Sequence, residues 1–104
     1  MIGLKGWTLY VVECADKSYY TGWTRNLEKE LIKMRLLILP HFKRCPSRLP
    51  VRVVFQEKNV PFLEAYAKFN YLREMNRYLK NKLIRTQEWP MGGAWKRFLN
   101  KRLK

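Results

Sequence analysis

The stretch WTLYVVECADKSYYTGWTRNLEKE, Trp7 to Glu30, decides the fold. Two runs rich in aromatic and β-branched residues, WTLYVVE (7–13) and SYYTGWT (18–24), flank the short polar insert Cys14-Ala15-Asp16-Lys17. Such side chains fit a pleated, half-buried surface, so the pattern predicts a β-hairpin turning at Ala15-Asp16-Lys17. A helix is expected next. The Asn26 side-chain oxygen can accept a free N–H of its first turn, and Glu28 puts negative charge at the positive end of the helix dipole. In the first strand Trp7, Leu9, Val11 and Glu13 alternate with Thr8, Tyr10 and Val12, giving one largely apolar face and one partly polar. Tyr10 lies on the second face with Tyr20 across the hairpin, an arrangement that by itself reads as an aromatic cross-strand pair.

Outward from the hairpin, Leu27, Leu31, Met34 and Ile38 form one apolar stripe at helical spacing, with Glu28, Lys29 and Arg35 off it. Pro40 is expected to end this helix, leaving PHFKRCPSRL (40–49) as a basic loop carrying Lys43, Arg44 and Arg48. Val51 to Glu57 alternates as a third strand. Asn59 and Pro61 predict the start of a further helix, with Phe62, Ala65, Phe69 and Leu72 on one face. Asn76 predicts the cap of a last helix, Arg77 to Arg85, with Tyr78, Leu79 and Leu83 as its apolar side. The fold class is therefore α/β, a small three-stranded antiparallel or mixed sheet with packed helices.

The hairpin and its helix resemble the GIY-YIG nuclease domain, whose two tripeptides correspond here to Thr8-Leu9-Tyr10 and Tyr20-Thr21-Gly22. The pattern E-C-A-D-x-S-Y-Y-T-G-x-T from Glu13 to Thr24 is similar to the small single-domain members. The resemblance continues more weakly to Ile84, so residues 1–84 are expected to form the GIY-YIG-like domain and 85–104 a basic, aromatic extension. It implies that Tyr10 and Tyr20 direct their hydroxyls at a phosphate-binding surface.

The same resemblance implies a chemistry whose charged parts are missing. The family uses an arginine on the first helix against the phosphate and a glutamate on a later helix to hold a divalent metal; both offset negative charge that builds during phosphodiester hydrolysis. Counting eight residues from Gly22, the arginine position is Glu30. A carboxylate at ~4 Å from a phosphate repels it by roughly 1 to 4 kcal/mol, and losing one such contact commonly costs on the order of 100- to 1,000-fold in rate. Lys29 points about 100° away around the helix, and Arg25 precedes it as a phosphate anchor. Four residues beyond Ala65, the metal position is Phe69; Glu64 and Glu74 lie five residues off and roughly 140° around the helix. The expectation is a degenerate member with no metal and no cofactor.

Composition points to the partner. The chain of 104 residues is one domain's worth, and 22 Lys and Arg against 8 Asp and Glu give a charge of +14. Nine of those cations fall between Arg77 and Lys104 against the single acid Glu88, interleaved with Trp and Phe. Phosphate neutralisation combined with base stacking suits such a mixture. The expected nucleic-acid contacts are Tyr10, Tyr20, Arg25, Lys29, Lys43, Arg44, Arg48, Arg77, Lys80, Lys82, Arg85, Trp95, Lys96, Arg97, Lys101 and Arg102. For the tail, 86–104, two readings stand open: a last helix docking Trp95 and Leu99, or an arm that orders on its partner.

No apolar run approaches the ~18 residues of a membrane span and Met1 to Gly6 has no signal-peptide core, which implies the cytosol or an organelle matrix. Cys14 and Cys45 support neither a disulfide nor a zinc framework, and His41 reads as a loop histidine. The expected function is RNA binding in preference to DNA, alongside other proteins of a ribosome-like ribonucleoprotein. An active metal-dependent DNA endonuclease of repair or recombination is the alternative.

Overall fold

A computed structural model describes residues 6–89 and 93–99. Strands β1 (Trp7–Glu13) and β2 (Tyr19–Thr24) pair antiparallel with Val11 opposite Thr21 and Tyr10 opposite Gly22. The turn between them closes by Lys17 N–H to the Cys14 carbonyl at 2.9 Å, while the Asp16 carboxylate accepts from the Ser18 N–H at 3.0 Å. Helix α1 (Leu27–Arg35) starts where expected, the Asn26 side chain accepting from the Lys29 N–H at 3.0 Å.

The segment after α1 corrects two expectations. The helix stops at Arg35 instead of running to Pro40, Leu37 turns the backbone at φ 60°, and Ile38 leaves the stripe for solvent. Pro40 then opens a second helix, α2 (Pro40–Lys43), and Pro46 opens a 3-10 turn over Pro46–Arg48, so the basic loop is mostly helical turns. The physics favours this: the residue before proline is pushed to extended backbone, as Leu39 is at ψ 133°, while proline itself is well suited to a first helical turn.

Strand β3 (Arg52–Val60) completes an antiparallel sheet in the order β2-β1-β3. It runs three residues past the expected Glu57. Asn59 marks no helix start; at φ 61° it is the extra residue of a bulge between the Leu9–Glu57 and Trp7–Val60 pairs, the left-handed conformation that Asn tolerates best. Helices α3 (Phe62–Glu74) and α4 (Arg77–Thr86) follow, the second capped by Asn76, which accepts from the Leu79 N–H at 2.9 Å. α4 continues through the expected boundary at 84/85. Tyr78 is corrected too: it faces water, and Leu79, Leu83 and Ile84 form the packed side.

The period-two alternation of β1 separates two cores. Leu9 and Val11 face α3, α4 and the C-terminal segment, with Phe55, Ala65, Leu72, Leu83 and Phe98. Tyr10 and Val12 face α1 and α2, with Cys14, Met34 and Phe42. A charged box fastens the C-terminal segment to the first core. Lys68, only 5% exposed, donates to both Glu57 oxygens at 3.0 Å and to Glu64 at 2.7 Å, and its ammonium lies 5.0 Å from the ring centres of both Trp89 and Trp95. The Trp89 indole N–H closes the box on Glu57 at 3.0 Å. Of the two readings of the tail, the described part, a 3-10 turn at Ala94–Lys96 and residues 97–99, follows the docked one. Among the described residues no helix is long and apolar enough to cross a membrane.

Candidate nucleic-acid interface and the enclosed tyrosine centre

Tyr10 stands on the central strand with its ring laid over Gly22 of β2; a Cβ at Gly22 would collide with that ring. Tyr20 is its neighbour, ring centres 6.3 Å apart. The lid comes from α2. His41 and Phe42 cover the Tyr20 ring at 4.7 and 5.2 Å, and Tyr10 is left 1% exposed. Tyr10 therefore lies inside the fold, away from the surface where it was expected to meet a phosphate. Tyr20 is half-buried beneath the same lid.

The charge facing both phenols is negative. Glu30, held in the first turn of α1 by its N–H to the Asn26 carbonyl at 3.1 Å, interacts with the Tyr10 hydroxyl, which also meets Tyr20. Burial first, then the nearby Tyr20 and Glu30, pushes the Tyr10 phenol well above its ordinary range; burial and Glu30 push Tyr20 up as well. Both hydroxyls thus remain protonated donors near neutral pH. Lys33 offsets the Glu30 charge at 3.6 Å on the outer side. His41 is held neutral by burial and by Arg48, which donates to its carbonyl at 2.9 Å. Among the described residues no group of three or more His, Cys, Asp or Glu stands close enough to hold a metal ion.

Phe69 belongs to the other side of the sheet. Its ring stacks on Trp23 at 6.0 Å under the Arg73 guanidinium, in a row of rings with Trp7, Phe62 and Tyr66. Glu64 is committed to Lys68, and Glu74 is exposed. The fold does not bring Glu30 and Phe69 into one centre.

The expected phosphate contacts divide by what already holds them. Arg25 lies 5.7 Å from the Trp7 ring at the open end of that aromatic row, and Lys29, Lys43 and Arg44 are exposed near α1 and α2. Arg48 is tied to His41 and, at 3.5 Å, to Asp16. On α4, Arg77 donates to the Lys17 carbonyl at 2.8 Å and covers the Tyr19 ring at 4.2 Å, and Lys80 is partly buried, its pKa lowered by that burial and by Arg77. Lys82 and Arg85 are exposed. Lys96 and Arg97 are exposed beside Trp95 and Tyr71, while Trp95 itself is engaged by Lys68. Lys101 and Arg102 lie outside the described residues.

No protein-family model matches the chain. It is 33% identical over 81 residues to a UPF0213 protein of Clostridium perfringens, covering 73% of this chain and 80% of that one. The chain belongs to the UPF0213 family. A UPF0213 protein of Syntrophus aciditrophicus is 34% identical over 77 residues, covering 74% of this chain and 87% of its own. The solution NMR structure of a UPF0213 protein from Bacillus halodurans shares the fold, with a TM-score of 0.52 over 86% of this chain and 94% of that one at 22% identity.

Sequence reasoning about this UPF0213 chain missed three features of its site. The lid residues His41 and Phe42 were hidden because two prolines argued against helical turns. Lys68 gave no signal alone, although its i,i+4 spacing from Glu64 was readable as a pair. Tyr78 was counted on the apolar side with Leu79 and Leu83, yet it falls one position before the packed Leu79 and faces water.

Proposed function

We propose that this UPF0213 protein binds RNA without cutting it, as a structural component of a ribosome-like ribonucleoprotein, on a scaffold similar to a GIY-YIG nuclease whose catalytic centre is degenerate. One observation carries the reading. Where a phosphate would need a cation, the carboxylate of Glu30 faces two protonated tyrosines, one of them buried. A negative group enclosed at low dielectric repels a phosphodiester and supplies no counter-charge to its transition state.

Binding falls to the exterior. The charge of +14 is supplied at the surface by cations such as Lys29, Lys43, Arg44, Lys82 and Arg85, and RNA phosphates relieve the self-repulsion of such a domain. RNA is favoured over duplex DNA because aromatic rings interleaved with cations suit unpaired bases. Density-gradient fractionation of native lysate in magnesium, with the chain followed by mass spectrometry, tests the assignment. Co-migration with ribosomal subunits, lost after RNase or at high salt, supports it. A light, unassociated fraction sinks it and leaves metal-dependent nicking of branched DNA as the reading to pursue.

A further inference from the structure

We propose that the outer face of α4 is a base-stacking site: Tyr78 receives an unpaired RNA base on its ring while Lys82 and Arg85, further along the same face, hold phosphates of the adjoining backbone. The proposal rests on the RNA-binding reading above and gives it a place and a mode.

Among the described residues Tyr78, 70% exposed, is the most open large apolar or aromatic side chain, and no ring, cation or hydrogen-bond partner engages it. At about 100° per residue, Lys82 and Arg85 fall within roughly 40° of it around the helix, so the three side chains share one solvent-facing arc. Helix α4 contains no acid, and its other two cations are already occupied, Arg77 on the Lys17 carbonyl and the Tyr19 ring at the surface, Lys80 by partial burial.

The back of the helix is fixed. Leu79, Leu83 and Ile84 pack into the core, and the Tyr19 hydroxyl donates to Asn81 at 2.6 Å. The face is therefore an exposed ring on a fixed helix, with Lys82 about 6 Å and Arg85 about 10 Å further along the axis on the same arc. That chemistry matches one stacked base followed by two successive phosphates of the same strand, since base–aromatic stacking tolerates any base and lysine or arginine neutralises the backbone. Wedging a ring into a closed stack of base pairs costs unstacking energy that an already unpaired base does not, which favours a base in a loop or single strand.

The test compares fluorescence anisotropy of a labelled 12-nucleotide single-stranded RNA and a blunt RNA duplex. The full chain is used as wild type, Tyr78→Ala, Tyr78→Trp and the double variant Lys82→Gln with Arg85→Gln. All three positions are exposed, and circular dichroism checks that each variant folds. Tyr78→Ala is expected to lose about 10-fold or more in single-strand affinity, to bind the duplex as before, and to keep the wild-type salt slope; Tyr78→Trp retains affinity. The double variant is expected to lower the slope of log K against log salt by about 1.4.

Unchanged single-strand affinity in Tyr78→Ala, or an equal loss on the duplex, overturns the proposal while the broader RNA reading stands. Equal affinity and equal loss on single-stranded DNA of the same sequence overturns the assignment to RNA. A wild-type chain that binds no RNA at all removes the proposed function itself, and this site with it.

Discussion

One residue, Glu30, sets the charge that faces the tyrosine centre. Its sign was legible by counting from Gly22, because nothing interrupts the chain between hairpin and helix. The burial of Tyr10 was not legible: it depends on Phe42 and His41, brought back by a turn that the prolines disguised. A pH dependence follows. Below about pH 10 the two phenols are protonated folded and unfolded alike; above it the unfolded tyrosines ionise while the folded ones hold their protons. The unfolded state then binds fewer protons and stability falls as pH rises. Urea midpoints are expected to drop between about pH 9.5 and 11.5, less steeply in Glu30→Gln, where one source of the raised pKa is gone. Gly22→Ala is expected to cost about 1–3 kcal/mol, since its Cβ would displace the Tyr10 ring from a packed site. Denaturant melts measure that cost.

At the scale of elements, the periodic segments were readable and their ends were not. β1, β2 and the cores of α1, α3 and α4 follow from alternation or helical spacing together with Asn26 and Asn76 as caps. The end of β3 was misread because Asn59 serves a bulge as readily as a helix start, and the end of α1 because apolar spacing carried on through Ile38 after the backbone had turned. The box around Lys68 joins α3, β3 and the C-terminal segment across long sequence separations that no local pattern encodes. Removing its cation leaves Glu57 and Glu64 side by side and takes the ammonium from both indole faces. Lys68→Ala is expected to destabilise by about 2–4 kcal/mol and to shift tryptophan emission to the red as Trp89 and Trp95 gain water. Urea titration followed by fluorescence measures both effects at once.

For the whole molecule, charge decides more than any single site. A chain of +14 whose tyrosine centre faces the Glu30 carboxylate carries Lys29, Lys43, Arg44, Lys82 and Arg85 at its surface, the side on which the proposed RNA would meet it. Sequence composition made that visible; which cations are already engaged, such as Arg48 and Arg77, required the fold. Affinity for RNA is expected to fall by orders of magnitude between about 50 and 200 mM salt if six or more phosphates are neutralised. Placing a cation at this centre by Glu30→Arg is expected to leave the chain without cleavage activity, because Tyr10 stays buried and Phe69 remains on the far side of the sheet. The most direct measurement incubates the wild-type chain with 5′-labelled single-stranded RNA and branched DNA in magnesium, each reaction split between a native and a denaturing gel. The account predicts a salt-sensitive RNA complex on the first gel and full-length strands on the second. Shortened strands that vanish with chelator would contradict it.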